Sequence, residues 1–147
     1  MTSQTFHTIT LEQDARGVAR LTLNRPDKHN ALNGQLIEEL KQAADLLAAD
    51  SGVRVVVLSG EGKSFCAGGD FNWFKGNAEA DRATSIRESS KLAHMLNALN
   101  GLPKPLIGRI QGPAYGGGVW MISVCDIAVG VDTARFGLTE VRLGLIP

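Results

Sequence analysis

The chain has 147 residues, of which 44% are hydrophobic and 20% are charged, a composition that excludes a disordered chain and is typical of one folded domain. Its 15 basic and 15 acidic side chains cancel to a formal net charge of zero and are scattered along the chain, so the charge predicts no nucleic-acid partner. No apolar run is long enough to span a bilayer, and residues 1–5 lack the features of a secretory signal, so we expect a cytoplasmic protein with no membrane partner.

The chain opens with a predicted β-hairpin. Residues 6–12 and 18–23 alternate between apolar and polar side chains, which is the pattern of half-buried strands. The segment between them, Asp14-Ala15-Arg16-Gly17, has the residue types of a turn. A loop is predicted over residues 25–30, which follow the second strand.

A helix and a buried strand are predicted next. Asn33 is a candidate N-cap, and apolar side chains then recur at helical spacing as far as Leu47. The helix is expected to end near residues 50–52, and the valine-rich stretch within residues 53–59 predicts a buried strand. The side chains expected to face outward from this helix are Glu38, Glu39, Lys41 and Gln42.

The second half of the chain continues the alternation of helices and strands. A long helix is predicted over residues 78–99, and the prolines of the segment 102–105 end it. A strand follows at residues 106–110, a helix is expected to start near Gly116, and residues 126–131 are predicted as a further strand. The side chains expected to form the apolar face of the long helix are Ile86, Leu92, Met95, Leu96 and Leu99. This order predicts an α/β fold with parallel strand connections.

Glycine-rich segments after predicted strands carry the first functional prediction. Residues 65–70, Phe-Cys-Ala-Gly-Gly-Asp, follow one strand, and residues 112–118, Gly-Pro-Ala-Tyr-Gly-Gly-Gly, follow the next. Where a strand turns through glycines into a helix, backbone N–H groups are left unpaired, and facing loops can each supply a donor to an oxygen that gains negative charge. Glycines that only permit tight packing are the alternative, whereas a dinucleotide site is disfavoured because GxGxxG spacing is not met.

The residue spacing supports neither a metal site nor a nucleophilic serine. Cys66 and Cys125 are far apart in sequence and are expected to be reduced, partly buried thiols. His7, His29 and His94 have no cysteine or acid at ligand spacing, and the serines lack a nucleophile-elbow context. We therefore expect no metal and no serine-hydrolase chemistry.

Five motifs in a fixed order carry a resemblance to a known family. They are Leu23-Asn24-Arg25-Pro26 with Asn30-Ala31-Leu32, Ser64 to Asp70, Gly112 to Gly118, Cys125-Asp126-Ile127, and Phe136 to Glu140. From Phe6 to Pro147 the chain resembles the N-terminal part of the enoyl-CoA hydratase/isomerase (crotonase) superfamily. The resemblance implies an α/β spiral of ββα units in one core domain over residues 1–147, truncated after Pro147 so that the C-terminal helices are missing. It also implies a homo-oligomer, a trimer or a dimer of trimers, for the full-length protein.

The resemblance further implies a partner and a chemistry. The partner is an acyl-CoA thioester, with coenzyme A as part of the substrate and no separate cofactor. The family's oxyanion donors fall on the N–H groups of Ala67 and Gly117, and its acid–base glutamate falls on Glu140. A surface glutamate paired with Arg135 or Arg142 is the alternative that the local sequence favours for Glu140. The apolar neighbours of this glutamate instead allow a poorly solvated pocket.

Substrate-binding residues are implied in the same way. Lys28, Ala31 and Leu32 fall where the family contacts the nucleotide end of coenzyme A, and a solvated loop lysine is the alternative for Lys28. Asp70 is expected to hold its loop by capping the turn into residues 71–74, whose aromatic side chains are expected to pack or to line an acyl channel. The remaining residues expected at the substrate are Gly68, Gly116 and Trp120.

Trp120 departs from the family pattern. Typical hydratases of the family carry a second glutamate at this position, and a tryptophan cannot relay a proton because its indole N–H only donates. The first prediction is hydration of a 2-enoyl-CoA through Glu140, with a branched, methylglutaconyl-like substrate suggested by the pattern of residues 139–144. The alternatives are a Δ3–Δ2 enoyl-CoA isomerase that uses Glu140 alone, and a non-catalytic acyl-CoA binder or inactive truncated paralogue.

Overall fold

The computed structural model describes residues 5–146, along which strands and helices alternate. The strands are β1 (Ile9–Gln13), β2 (Val18–Leu23), β3 (Val55–Gly60), β4 (Leu106–Ile110), β5 (Ala114–Tyr115), β6 (Ile127–Gly130) and β7 (Phe136–Gly137). The helices are α1 (Gly34–Ala49), α2 (Phe71–Glu79), α3 (Arg82–Asn100) and α4 (Gly117–Ser123), with 3-10 turns at Pro26–Lys28 and Glu140–Leu143. The predictions about a signal at residues 1–4 and about truncation after Pro147 lie outside the described residues.

The main sheet has five strands in the order β1-β2-β3-β4-β6. β1 and β2 form the predicted antiparallel hairpin, in which Ile9 lies opposite Leu23. The pairings of β2 with β3, of β3 with β4 and of β4 with β6 are parallel, which confirms the predicted α/β fold. β5 and β7 form a separate parallel pair that places Ala114 beside Phe136.

The core lies between the main sheet and the helices α1 and α3, which pack against each other. Leu21, Val56 and Leu106 of the sheet belong to one buried cluster with Leu40 of α1 and Leu99 of α3. Burying a side chain of this size stabilises a fold by about 1.5–3 kcal/mol. Among the described residues, no helix combines the length and the apolarity that crossing a bilayer requires.

Side-chain caps decide where the helices begin. Asn33, the predicted N-cap of α1, accepts the N–H of the third residue after it at 2.9 Å. The prediction of one helix over residues 78–99 is wrong, because the chain forms α2 and α3 with a break at Ala80 and Asp81. Ala80 is extended, and the carboxylate of Asp81 starts α3 by accepting the N–H of Thr84 at 2.7 Å.

The predicted facing of two helical side chains is also wrong. Ile86 is 55% exposed, because the buried residues of α3, Met95 and Leu99, lie in its C-terminal half. Glu39 is only 7% exposed, because its carboxylate accepts hydrogen bonds from the start of the hairpin, chiefly from Thr8.

Candidate active site

The two glycine-rich segments lie side by side at the carboxyl ends of β3 and β4. The N–H of Phe65 donates to the carbonyl of Pro113 at 3.0 Å, and the N–H of Tyr115 donates to the carbonyl of Cys66 at 3.0 Å. The approach is so close that a Cβ at Gly118 would lie 2.5 Å from the Cys66 carbonyl oxygen. The expectation that the two loops face each other is therefore confirmed.

The segment before α1 is bonded to the first of these loops and decides which amides remain free. The N–H of Leu32 donates to the carbonyl of Gly68 at 2.7 Å, and the N–H of Asp70 donates to the carbonyl of Leu32 at 2.7 Å. The N–H of Ala67 donates to the carbonyl of His29 at 2.9 Å. The predicted oxyanion donor Ala67 thus needs correction, because its hydrogen is already used within the protein.

Two amides of these loops that have no acceptor belong to glycines. Within residues 5–146, neither the N–H of Gly69 nor the N–H of Gly117 has an acceptor. Gly117 is the first residue of α4, and the N–H groups of a first helical turn have no partner inside the helix. A Cβ placed on Gly68 would lie 3.7 Å from the nitrogen of Gly117, so the two loops bring these amides into one neighbourhood.

The free amides line a cavity of about 370 Å³. The sequence-predicted site residues that also line it, besides Glu140, are Leu32, Ala67, Gly68, Gly116 and Trp120. Lys28, Ala31 and Asp70 do not line it. Lys28 is exposed on the 3-10 turn before Leu32. Asp70 is the N-cap of α2, and its side chain does not face the cavity.

Glu140 is buried in the wall of this cavity. It starts the second 3-10 turn and is only 7% exposed. Its Oε2 atom has no hydrogen-bond partner among the described residues, and no ion pair joins it there to Arg135 or Arg142. Its Oε1 atom lies 2.7 Å from where a Cβ on Gly116 would be. The surface-glutamate alternative is therefore wrong, and the carboxylate is a buried acceptor beside the glycine loop.

Aromatic side chains of α2 cover one side of the cavity. Asp70 caps α2 as predicted, since its Oδ1 accepts the N–H groups of Asn72 at 3.0 Å and of Trp73 at 3.4 Å. This cap directs Phe74 against Gly69, where a Cβ would overlap the phenyl ring. The rings of Trp73 and Phe74 meet edge to face, with their centroids 5.6 Å apart. A ring five residues later in the chain lies against the backbone of Gly69, and this contact explains why the residue is a glycine. The sequence by itself gives no sign of the contact.

Both cysteine thiols have a pKa above the ordinary value. Burial raises the pKa of Cys66 to about 12, and burial together with the nearby Asp126 raises the pKa of Cys125 to about 11. Both cysteines are free, as expected. Among the described residues, no three His, Cys, Asp or Glu side chains are grouped so that they could hold a metal ion.

Comparison with known proteins identifies one family over most of the chain. The model of the enoyl-CoA hydratase/isomerase family matches residues 13–147. A putative enoyl-CoA hydratase of Thermus thermophilus is 38% identical over 129 residues, which are 88% of this chain and 51% of that protein. The 2,3-dehydroadipyl-CoA hydratase of Escherichia coli is 39% identical over 131 residues, which are 88% of this chain and 49% of that protein.

Solved structures agree with the sequence relatives. An enoyl-CoA hydratase from Shewanella pealeana superposes with a TM-score of 0.93 at 36% identity, over 97% of this chain and 53% of that one. A putative enoyl-CoA hydratase/isomerase (crotonase) from Legionella pneumophila gives a TM-score of 0.92 at 38% identity, over 97% of this chain and 55% of that one. The chain thus spans about half the length of the relatives it matches. The family match and the shared fold show that the chain belongs to the enoyl-CoA hydratase/isomerase family and corresponds to the N-terminal part of the family fold.

Proposed function

We propose that the complete gene product adds water to the double bond of a 2-enoyl-CoA. In this proposal the thioester oxygen accepts hydrogen bonds from the N–H groups of Gly69 and Gly117, and Glu140 moves the protons. The observation that carries it is one cavity lined by two unused amide donors and by a buried carboxylate with an unpaired oxygen. The relatives named above, a putative enoyl-CoA hydratase and a 2,3-dehydroadipyl-CoA hydratase, support the same reaction class.

The amides supply the electrostatic part of the reaction. When a nucleophile attacks C3 of the conjugated thioester, the electron pair moves through C2 to the carbonyl oxygen and forms an enolate. Two backbone donors that already point at that oxygen stabilise the charge without reorganising. Loss of one such donor costs about 100- to 1000-fold in kcat in other enzymes, so the Gly69 and Gly117 amides account for a large share of the rate.

One carboxylate suffices for the proton movements. The Glu140 side chain takes a proton from water as the water oxygen adds to C3, and it then returns that proton to C2 when the enolate collapses. The net change is the addition of H and OH across the double bond, with no co-reactant. Glu140 is buried in the cavity wall and its Oε2 atom has no hydrogen-bond partner among the described residues, so this oxygen is available to water and to the substrate.

Isomerisation is the second candidate function, and Trp120 favours it. Trp120 lines the cavity where typical hydratases of the family carry a second glutamate, and Glu140 is the sole acidic side chain in the described lining. A single carboxylate that removes a proton from C2 of a 3-enoyl-CoA and returns it to C4 creates the conjugated 2-enoyl product. This reaction needs no water in the space that the indole occupies.

The remaining expectations belong to the same proposal. The nucleotide end of coenzyme A contacts Lys28, Ala31 and Leu32. The acyl group of the substrate is branched. The complete protein is cytoplasmic and forms a homotrimer or a dimer of trimers. The exposed position of Lys28 on its 3-10 turn supports a contact with a phosphate that remains in solvent. Coenzyme A is then part of the substrate, and no further cofactor is needed.

The decisive prediction concerns Glu140→Gln in the complete gene product. The change removes the proton carrier but keeps the shape of the side chain, so we expect kcat to fall by at least about 100-fold while acyl-CoA affinity changes little. The measurement is the loss of conjugated-thioester absorbance with crotonyl-CoA, run beside calorimetric binding. Glu38→Gln, an exposed carboxylate on α1, is the matched control and should leave kcat unchanged.

Three outcomes separate the candidate functions. Loss of absorbance from crotonyl-CoA by the unmodified protein supports hydration, and gain of absorbance from a 3-enoyl-CoA supports isomerisation. Binding of acyl-CoA without either reaction identifies a non-catalytic binder. Full activity of Glu140→Gln in both assays would rule out the single-carboxylate mechanism.

A further inference from the structure

Arg25 connects the two segments that surround the free amide of Gly69. Its Nη2 atom lies 3.3 Å from Oδ2 of Asp70, and its Nη1 atom donates to the carbonyl of Ala31. The backbone N–H of Arg25 donates to Oδ1 of Asn30 at 2.8 Å, and this hydrogen bond fixes the position of the arginine relative to residues 26–31. One side chain therefore joins residues 25–31 to the first glycine-rich loop.

The ion pair is shielded from water. The side chain of Arg25 is 15% exposed and that of Asp70 is 16% exposed, whereas the Arg20–Asp14 pair on the hairpin is 49% and 25% exposed. Shielded pairs are screened less by solvent and salt than exposed ones. A guanidinium also reaches two acceptors in a fixed plane, which a lysine ammonium cannot do.

Gly69 is held between two anchors. On one side the carbonyl of Gly68 accepts the N–H of Leu32 at 2.7 Å, and on the other the N–H of Asp70 donates to the carbonyl of Leu32 at 2.7 Å. The Asp70 carboxylate divides its oxygens, since Oδ1 caps α2 and Oδ2 pairs with Arg25. The peptide bond between Gly68 and Gly69 carries the donor, and the next peptide bond leads directly to Asp70, so the position of Asp70 bears on the orientation of the Gly69 N–H.

We propose that Arg25 is a positioning residue for the oxyanion donor Gly69, acting through Asp70. The inference rests on the proposed function, because it concerns the amide assigned there to the thioester oxygen. Arg25 does not line the cavity, so it acts on the substrate only through the loop. Because the amide interacts most strongly with the charge that develops in the transition state, loss of the ion pair lowers kcat and leaves KM nearly unchanged.

A double-mutant cycle on the complete gene product tests this. Arg25→Gln and Asp70→Asn each break the charge pair, and the asparagine retains an oxygen that can cap α2. We expect each change, and the two together, to lower kcat for crotonyl-CoA by about 10- to 100-fold, with KM within about 3-fold. Arg20→Gln, which breaks the exposed pair with Asp14, is the matched control and should keep the wild-type kcat.

A spectroscopic readout isolates the polarisation of the carbonyl. Bound 2,4-hexadienoyl-CoA absorbs at longer wavelength when its thioester oxygen accepts hydrogen bonds, so the wild-type protein should red-shift this probe. Arg25→Gln and Asp70→Asn should bind the probe and give a smaller shift. A purely structural loss would lower the thermal midpoint and the amount of bound probe without changing the shift of the molecules that bind.

Each result decides between the alternatives. Folded variants with the wild-type kcat and the wild-type shift overturn the positioning role, and so do losses that add in the double variant. If Arg25→Gln does not fold, Asp70→Asn and Arg25→Lys decide in its place, since unaltered values in both would overturn the inference. A wild-type protein that binds the probe without any shift instead overturns the proposed function itself.

Discussion

Gly116 has a backbone conformation and a neighbour that both exclude a side chain. Its φ of 48° and ψ of −117° lie outside the regions open to residues with a Cβ, and that Cβ would lie 2.7 Å from Oε1 of Glu140. At Gly117 a Cβ would lie 2.5 Å from Cδ1 of Leu32, and at Gly69 it would overlap the ring of Phe74. A Cβ at any of these three glycines would therefore displace a different neighbour that lines the site.

Gly116→Ala should damage the site more than the fold. We expect the strained conformation to cost about 1–3 kcal/mol of stability and the displaced Glu140 carboxylate to lower kcat by at least about 10-fold. Thermal unfolding and the crotonyl-CoA assay measure the two effects separately. The matched control is Gly76→Ala within α2, where a Cβ meets nothing within 4 Å and should stabilise the protein by about 0.5–1 kcal/mol. Equal effects of the two substitutions would contradict the role assigned to Gly116.

Helix α1 is attached to the hairpin by a buried carboxylate. Glu39 accepts the backbone N–H of Thr8 at 2.8 Å and its hydroxyl at 2.6 Å, and it also accepts the N–H of His7 and the amide of Gln35. Burial by itself raises the pKa of Glu39, but the hydrogen bonds from Thr8, His7 and Gln35 outweigh burial and lower it below its ordinary value. The ionised carboxylate therefore stabilises the fold.

The pH dependence of stability follows from that direction. A carboxylate with a lowered folded-state pKa contributes stability above its ordinary pKa, and the contribution is lost as the pH falls through the folded-state value. We expect Glu39→Gln to lower the free energy of unfolding by about 2 kcal/mol at neutral pH. The difference in unfolding free energy between the variant and the wild type should become smaller below about pH 4.3. Urea unfolding at several pH values measures this. Glu38→Gln, the exposed neighbour, should show no such gap at any pH.

The whole molecule leaves an apolar surface uncovered beyond residue 126. β6 is an edge strand of the main sheet, and all four of its residues are exposed. The large hydrophobic side chains exposed by more than half in this part of the chain are Ile127, Val129, Phe136, Val141, Leu143 and Ile146. Exposed apolar patches and unpaired strand edges are sites of association.

We expect the 147-residue chain studied alone to associate with increasing concentration through this surface. Ile127→Lys combined with Val129→Lys places two charges on one face of the edge strand and should shift the chain toward monomer. Ile86→Lys on α3, where the native side chain is 55% exposed, is the control and should not change the association. Light scattering coupled to size-exclusion chromatography measures the mass, and a monomer at every concentration would contradict the prediction.

Local features were predictable from the sequence because their causes lie within a few residues. The hairpin follows from alternating side chains around Asp14 to Gly17, the start of α1 follows from Asn33, and the order of strands and helices follows from their spacing. The motifs predicted the family as well, and the family match over residues 13–147 confirms it. Each of these features depends on residues that are close to one another in the sequence.

Tertiary structure alone decided which groups of the site remain free. Ala67 and Gly69 are two residues apart in one motif, yet the carbonyl of His29, from a distant loop, occupies the first amide and leaves the second. The helical pattern predicts that Glu39 faces outward, but hydrogen-bond donors from the hairpin surround its carboxylate in the folded protein. The physical reason is the same in both cases: a polar group's state depends on partners that folding brings from far along the chain, and no local pattern encodes them.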